Sequence, residues 1–250
     1  MTKLTRYLMN IDESELDSEI HRFISFESLC EILLFNKLTL PRIDSWDDPY
    51  ENFIFKTHVL KITPKLNITT DFSPSLEEVK TRLYGQCWTS IPESDALWRI
   101  YSKDDRGVKI STTLRKLYEV INISESENDS VCLGKISYYP LSEIEKSIKE
   151  LKYFSKFDAK YFLNSTLIKR NEFLHEQEVR IIYAAGREFK KDFKEYNISV
   201  DDFINSITLD PRISPRFEKL YQTSIKHMGF KNTIQKSKLY EFNRLSVVVS

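Results

Sequence analysis

The sequence predicts an α+β fold in which helices pack around a mixed, mostly antiparallel sheet. Segments with strand and helix patterns alternate irregularly along the 250 residues, and most of the strand-like segments are short. A regular strand–helix–strand series, which builds a parallel sheet, is therefore not expected. No Gly/Ser/Pro-rich linker divides the chain, so we predict an acidic, loosely packed lead-in over residues 1–20 and a single domain over residues 21–250.

In the first half of the chain, apolar spacing and capping residues define the elements. Ser25 is suited to cap a helix over residues 26–35, and Asn36 is suited to the left-handed position at its end. Strand patterns at 21–25 and 38–40 flank this helix. The other predictions are strands at 53–62, 85–90 and 107–112 and helices at 75–84, 94–102 and 113–121.

The second half continues the same irregular alternation. We predict a strand at 131–139, a lysine-rich helical insertion at about 141–163 and an apolar strand at 178–184. Ser214 and Pro215 form an N-cap and N1 pair for a helix that ends near Gly229.

The composition excludes several classes of protein. Only 5 glycines occur, none clustered, so neither the Rossmann fingerprint nor a P-loop is present. The formal net charge is +0, which provides no global field to attract nucleic acid or membrane. No apolar run reaches the roughly 18 residues of a membrane span, and the acidic start does not resemble a secretory signal, so we expect a cytoplasmic protein.

Cysteine and histidine do not form a metal pattern. The three cysteines are widely spaced, which indicates reduced thiols. His175 and Glu176 begin like the zinc-protease helix motif, but Val179 stands where its second histidine is required. We therefore predict no metal ligand set of this kind.

The charged segment around residue 178 is the most suggestive chemically. On a strand, Glu176, Glu178 and Arg180 would project to the same face. Two adjacent carboxylates raise one pKa, whereas a nearby guanidinium lowers it. Such a set is able to orient a ribose hydroxyl, stabilise an oxocarbenium ion or accept a proton, although a solvated edge with an ion pair fits the same pattern.

Two further clusters allow alternative interpretations. Thr89 and Ser90 supply hydroxyls near Trp98 and Tyr101, whose rings are able either to stack a planar ligand or to pack in the core. The acidic loop suits either a turn or a divalent metal, with the ligands Asp47, Asp48 and Glu51.

The C-terminal third is basic. Between residues 210 and 238, seven Lys or Arg side chains stand against the two acids Asp210 and Glu218. This segment predicts either an RNA or DNA surface or a solvated helix face.

These clusters together resemble a bacterial domain-of-unknown-function family. Order and spacing agree over about residues 20–240. The matching segments are Arg22-Phe23-Ile24-Ser25, Asp47-Asp48-Pro49-Tyr50-Glu51, Cys87-Trp88, Glu93-Ser94, Trp98-Arg99-Ile100-Tyr101, Gly107-Val108 and Lys169 through Arg180.

More distantly, the order of Arg22, Ser90 (or Thr89) and Glu178 is similar to the ADP-ribosyltransferase superfamily. This resemblance implies a sheet core of that type, NAD as substrate, and Glu178 with Glu176 as catalytic residues. Ser111 is a rival to Ser90 for the hydroxyl position. The cofactor-binding residues that it implies are Arg22, Ser25, Thr89, Ser90, Trp98 and Tyr101.

The resulting hypothesis is a mono-ADP-ribosyltransferase that acts as a toxin or phage-defence effector on nucleic acid or protein, with an antitoxin or defence partner. Three alternatives remain open. They are an NAD hydrolase, a non-catalytic sensor or interaction domain on the same fold, and a magnesium-dependent nuclease that uses the acidic loop.

Overall fold

A computed structural model describes residues 5–46, 48, 50–56, 60–63, 68–71, 73–121, 129–149, 159–186 and 191–242. The strands are β1 (Thr5–Met9), β2 (Glu19–Ile24), β3 (Lys37–Pro41), β4 (Leu60–Thr63), β5 (Ile68–Asp71), β6 (Leu83–Thr89), β7 (Val108–Thr113), β8 (Ser130–Lys135), β9 (Ser137–Tyr139), β10 (Ile168–Arg170), β11 (Glu178–Ala184), β12 (Phe193–Asn197), β13 (Ser206–Leu209) and β14 (Thr233–Lys236). The helices are α1 (Phe26–Phe35), α2 (Phe53–Lys56), α3 (Ser73–Lys80), α4 (Asp95–Tyr101), α5 (Leu114–Val120), α6 (Leu141–Lys149), α7 (Ala159–Ser165), α8 (Val200–Phe203) and α9 (Pro215–His227). The predicted α+β class is confirmed.

The chain divides into two compact units, each assembled from three stretches of sequence. The first unit comprises residues 1–20, 38–90 and 113–197, and the second comprises residues 21–37, 91–112 and 198–250. The prediction of a single domain over residues 21–250 stays a prediction.

In the first unit, strands lie in the order β1-β8-β11-β6. β11 pairs antiparallel with both β6 and β8, whereas β1 pairs parallel with β8. With a partner on each side, β11 is buried along residues 178–183, which explains its apolar sequence. Its first residue, Glu178, therefore begins a central strand rather than an edge strand.

The apolar core of the first unit lies between this sheet and helices α2, α3, α6 and α7. It contains side chains from sequence-distant segments, including Met9, Phe55, Leu76, Cys132 and Leu163. The acidic N-terminal segment contributes to it, because β1 lies there and Met9 is buried. Asp12, Glu13, Asp17 and Glu19 are exposed and Glu15 is half-buried, while Ile11, Leu16 and Ile20 between them are buried. Charge alone therefore did not indicate loose packing.

In the second unit, β2, β7, β13 and β14 lie in that order, with β7 antiparallel and β14 parallel to β13. α9 packs through the buried residues Tyr221 and Ile225, and the Tyr221 ring stacks on Phe26 of α1 with centroids 3.6 Å apart. The second unit therefore has an apolar contact between its two longest helices.

The predicted cap positions are confirmed, and at Ser25 the side-chain capping bond is present as well. Ser25 accepts a hydrogen bond from the Ser28 N–H at the start of α1, and Asn36 ends that helix at φ 53°. Ser214 precedes α9, which has Pro215 in its first turn. These boundaries follow from backbone chemistry that is local in sequence.

Three predictions differ from the structure. The single strand predicted at 131–139 is two strands, β8 and β9, which belong to different sheets. Residues 53–56 form helix α2 rather than a strand, because Phe53, Ile54 and Phe55 are all buried and a one-faced strand buries only alternate residues. Residues 83–84 belong to β6 rather than to the preceding helix. Within the predicted insertion, α6 and α7 are present, and residues 150–158 lie outside the described residues.

Candidate functional site

The carboxylates of Glu176 and Glu178 lie together at the start of β11, although not as two residues of one strand. Glu176 ends a 3₁₀ helix over residues 171–176, and Gln177 adopts a left-handed conformation at φ 40° before the strand begins. This turn, rather than strand alternation, brings the two side chains to one ammonium group. The prediction that they are neighbours holds, but the predicted geometry is wrong.

That ammonium belongs to Lys169, on β10. Its Nζ lies 2.6 Å from Glu176 Oε2, 3.1 Å from Glu178 Oε1 and 3.1 Å from Glu51 Oε1. Each of these four side chains is at most 8% exposed, so the ion pairs are shielded from solvent. The ring of Phe173 lies 4.4 Å from the same nitrogen.

Arg180 provides the second cation. It donates to Glu178 Oε2 from Nε at 2.7 Å and to Glu51 Oε1 from Nη2 at 2.6 Å. A third bond runs from Nη1 to the Thr166 carbonyl, and the guanidinium lies 4.4 Å from the centroid of the Trp46 ring. Arg180 is completely buried. We call Glu51, Lys169, Glu176, Glu178 and Arg180 the charge cluster.

The charge cluster holds its two neighbouring carboxyl groups in different states. Burial, together with the hydrogen bond and negative charge of Glu178, raises the pKa of Glu176 to about 7, even though Lys169 acts to lower it. Burial also acts to raise the pKa of Glu178, but Arg180, Glu176 and Lys169 outweigh it and lower that pKa to about 2. One carboxyl is thus ionised near neutral pH while the other is able to exchange a proton.

Beside the charge cluster, the acidic loop is also paired with a cation. Asp48 Oδ1 lies 3.0 Å from Arg170 Nη2, and the guanidinium of Arg170 lies 4.6 Å from the Tyr50 ring. Asp47, the third acid of the predicted metal set, lies outside the described residues. In the part of the chain that the structure describes, no group of three His, Cys, Asp or Glu residues is placed to hold a metal ion.

The hydroxyl motif on β6 lies next to Glu178. Thr89 is the cross-strand partner of Glu178, and its buried hydroxyl donates to the Glu176 carbonyl at 2.6 Å. Ser90 is exposed, and its N–H donates to the Gln177 carbonyl at 3.1 Å. The juxtaposition of these hydroxyls with Glu178, which the resemblance implied, is therefore present in the first unit.

The rival hydroxyl, Ser111, lies in the second unit. Its Oγ is 2.8 Å from Nδ1 of the buried His21. Burial and the charge of Lys109 lower the pKa of His21 to about 4, so this imidazole is neutral at physiological pH. No local pattern in the sequence links the members of this pair, which are 90 residues apart.

The remaining predicted residues also lie in the second unit. Arg22 is half-buried on β2, and Ser25 is the N-cap of α1. Trp98 is fully buried: its ring centroid lies 4.7 Å from that of Phe23, and its indole N–H donates a hydrogen bond to Glu93. Tyr101, by contrast, is exposed. Ser25 and Trp98 therefore have defined structural contacts.

Sequence reasoning also underestimated Glu51, Lys169 and Arg180. It gave Glu51 a role only in the alternative metal site, treated Lys169 only as part of a motif, and considered Arg180 only for its effect on the neighbouring carboxyl pKa values. The available signal was that all three, like Glu178, stand in segments that match the family pattern, but no spacing rule links Glu51 to Arg180 across 129 residues. No helix in the described ranges combines the length and apolar character needed to cross a bilayer.

Comparison with solved structures gives low similarity over most of the chain. Thermus sp. 2.9 DarT in complex with NAD+ is 11% identical with a TM-score of 0.42, covering 89% of this chain and 96% of that one. The corresponding complex with carba-NAD+ is 10% identical with a TM-score of 0.38, covering 91% and 98%. The complex with ADP-ribosylated ssDNA is 12% identical with a TM-score of 0.41, covering 94% and 98%.

Comparison at the sequence level identifies one family model. No protein with a curated description matches the chain. The family model that matches is described as "Protein of unknown function (DUF2971)". The match covers residues 97–181, which include Lys169, Glu176, Glu178 and Arg180. The resemblance to a bacterial family of unknown function is thus confirmed over the segment that carries four of the five charge-cluster residues.

Proposed function

We propose that this protein is an NAD-consuming mono-ADP-ribosyltransferase. The observation that carries the proposal is the pair of adjacent carboxyl groups with opposite pKa displacements, Glu176 and Glu178. Cleavage of the nicotinamide–ribose bond develops positive charge on the ribose, and a fixed carboxylate stabilises such charge. Transfer to a hydroxyl or amine acceptor also requires a group that removes a proton.

The two roles follow from the two environments. Glu178 is the ionised carboxylate, which we assign to the ribose cation. Glu176 has a pKa near neutrality, which is the range in which a general base is most effective. The Thr89 and Ser90 hydroxyls beside them are proposed to contact NAD, and NAD contacts by Arg22, Ser25, Trp98 and Tyr101 stay predictions.

We further propose nucleic acid as the acceptor and a toxin or defence effector as the biological role, with an antitoxin or defence protein as a partner. Support for nucleic acid comes from α9, where Arg216, Lys219 and Lys226 are exposed. Cations in these positions suit a phosphate backbone. A protein acceptor remains the alternative outcome.

A second candidate function, a non-catalytic interaction module, is favoured by a specific observation. Both Glu178 oxygens are occupied, one by Lys169 and the other by Arg180, and the side chain is 6% exposed. A carboxylate satisfied in this way must exchange or share a partner to reach a substrate.

Mass spectrometry separates these functions. The protein is incubated with NAD and, in separate arms, with total RNA, DNA and protein. We expect nicotinamide release and one added ADP-ribose on the acceptor. We expect Glu178→Gln to reduce the rate by roughly 10²–10³-fold, while Glu145→Gln, at an exposed site on α6, retains it.

Each outcome has a distinct meaning. Nicotinamide release without a modified acceptor identifies an NAD hydrolase. Full activity of Glu178→Gln removes the assigned role of this carboxylate. A wild-type protein that neither binds nor cleaves NAD refutes the enzymatic proposal and leaves the interaction module.

A further inference from the structure

The charge cluster contains one residue that joins both carboxyl groups of the proposed acid pair. Lys169 contacts Glu176, Glu178 and Glu51, which come from a 3₁₀ helix, β11 and the loop before α2. Two of these contacts are hydrogen bonds, to Glu176 and Glu178, and the contact with Glu51 is an ion pair at 3.1 Å. Arg180, by comparison, donates to Glu178, Glu51 and the Thr166 carbonyl.

The net charge of the cluster determines how many protons its carboxyl groups bind. Three carboxylates and two cations leave one net negative charge if all groups are ionised, and none if one carboxyl binds a proton. A buried uncompensated charge is costly, so the cluster favours binding one proton. The contacts with the two cations determine which carboxyl receives it.

Glu178 and Glu51 each contact both cations, whereas Glu176 contacts Lys169. Among the described residues, Glu176 is thus the carboxyl group of the charge cluster that contacts one cation instead of two. It is therefore the carboxyl on which a proton costs least.

We propose that Lys169 is the positioning residue of the pair: it holds Glu176 and Glu178 at one ammonium group, where the single shared proton resides on Glu176, and its charge keeps that proton exchangeable while Glu178 stays ionised. The participation of this arrangement in a reaction rests on the proposed function, but the placement of the proton does not. The titratable and charged groups around Lys169 are Glu51, Glu176, Glu178, Arg180, Tyr138 and Cys87.

The test is an NMR titration of the glutamate carboxyl carbons in the full chain, with the Glu176 signal assigned by Glu176→Gln. In Lys169→Met we expect the titration midpoint of Glu176 to rise by roughly 1 to 3 pH units, because an opposite charge in contact lowers a carboxyl pKa by that amount. Lys169→Arg, which keeps the charge, is expected to restore much of the difference. An unchanged midpoint in Lys169→Met would overturn the proposal.

Lys194→Met is the matched control. Lys194 is as buried as Lys169 in the same unit, but its ammonium lies 4.6 Å from the Tyr183 ring. We expect this variant to lose stability without moving the Glu176 midpoint. An equal movement in both variants would show that the effect reflects general loosening, which also overturns the proposal.

If Lys169→Met does not fold, the wild-type protein still provides a test. The ¹⁵Nζ resonance of Lys169 should change with the same midpoint as the Glu176 carboxyl, because the two groups share a 2.6 Å hydrogen bond. Independent titration of the two signals would contradict the proposal.

Nicotinamide release measured on the same samples keeps the two proposals separate. Altered titration in a protein that never cleaves NAD would support the placement of the proton and refute the enzymatic function. Cleavage with unaltered titration would refute the role of Lys169 and retain the enzyme.

Discussion

Glu176 illustrates how surroundings set the chemistry of a single residue. An exposed glutamate is ionised at neutral pH. Burial and the neighbouring charge of Glu178 penalise the ionised form of Glu176, and the ammonium of Lys169 only partly offsets this. The same burial has the opposite net outcome at Glu178, because Arg180 contacts that carboxylate directly.

A raised pKa in the folded state makes stability depend on pH. The stabilising contribution of Glu176 is fully present below its unfolded pKa of about 4.5 and is lost as the pH rises through about 7. Glu176→Gln cannot ionise, so we expect it to gain stability relative to wild type by roughly 1–3 kcal/mol between about pH 5 and pH 8.

Urea unfolding of wild type and Glu176→Gln at about pH 5 and about pH 8 measures how the difference between their free energies of unfolding changes with pH. Glu145→Gln serves as the exposed control and should follow wild type in parallel. A constant difference between wild type and Glu176→Gln would show that Glu176 ionises normally in the folded protein.

At the scale of elements, α1 is defined at both ends by residues with local roles. Ser25 caps its first turn, and the left-handed Asn36 ends it. Between them, Leu29, Ile32 and Leu33 are buried on one face. The resemblance assigned Ser25 to cofactor binding, whereas its side chain has a defined structural partner.

We expect Ser25→Ala to lower the free energy of unfolding by about 1 kcal/mol, because the Ser28 N–H loses its acceptor. Ser25→Asp should retain the cap and most of the stability. Chemical denaturation measures both, with Ser142→Ala on the exposed face of α6 as a control. Equal stability of Ser25→Ala and wild type would contradict the capping role.

Gly134 on β8 is required by close packing. A Cβ at this position would lie 2.3 Å from Leu167 Cδ1 and 3.1 Å from the Met9 carbonyl oxygen. We expect Gly134→Ala to destabilise the protein by roughly 1–3 kcal/mol. The destabilisation caused by Gly134→Ala should be smaller in a Leu167→Ala background, because the clashing side chain is then shortened. A double-mutant cycle measures this coupling, and strictly additive effects would show that the two sites do not contact each other.

At the scale of the whole molecule, a net charge of +0 conceals an uneven distribution. Several cations of the basic C-terminal third are neutralised by acids, as in the Arg212–Asp210 pair at 2.7 Å and the Lys236–Glu218 pair at 3.7 Å. Arg216 and Lys219, three residues apart on α9, are exposed on one face. Counting residues in the sequence overestimates the basic surface, because the count treats the neutralised cations and the exposed cations of α9 alike.

Double charge reversal, Arg216→Glu with Lys219→Glu, is expected to weaken binding of a single-stranded oligonucleotide and to flatten its salt dependence. Each phosphate contact contributes about 0.7 to the salt slope for a single strand. Fluorescence anisotropy over a salt series measures both quantities. The matched control is Lys146→Glu with Lys149→Glu on α6, and equal effects of the two pairs would remove α9 as a specific surface.

The sequence by itself determined the α+β class and the bounds of α1 and β11, and the resemblance implied the neighbourhood of Thr89 and Glu178. These features depend on capping, on alternation and on residue order, which are local or ordered properties of the chain. The four-residue helix α2 was not predictable in this way, since its apolar run is too short to show a helical or a strand period.

Only the tertiary structure decided how the charges of the site are paired. Glu51 meets Arg180 across 129 residues, and Gln177 turns Glu176 towards Lys169 rather than along the strand. Burial then converts these contacts into different ionisation states for Glu176 and Glu178. Desolvation and long-range ion pairing depend on the folded arrangement of distant segments, and for that reason residue spacing does not contain them.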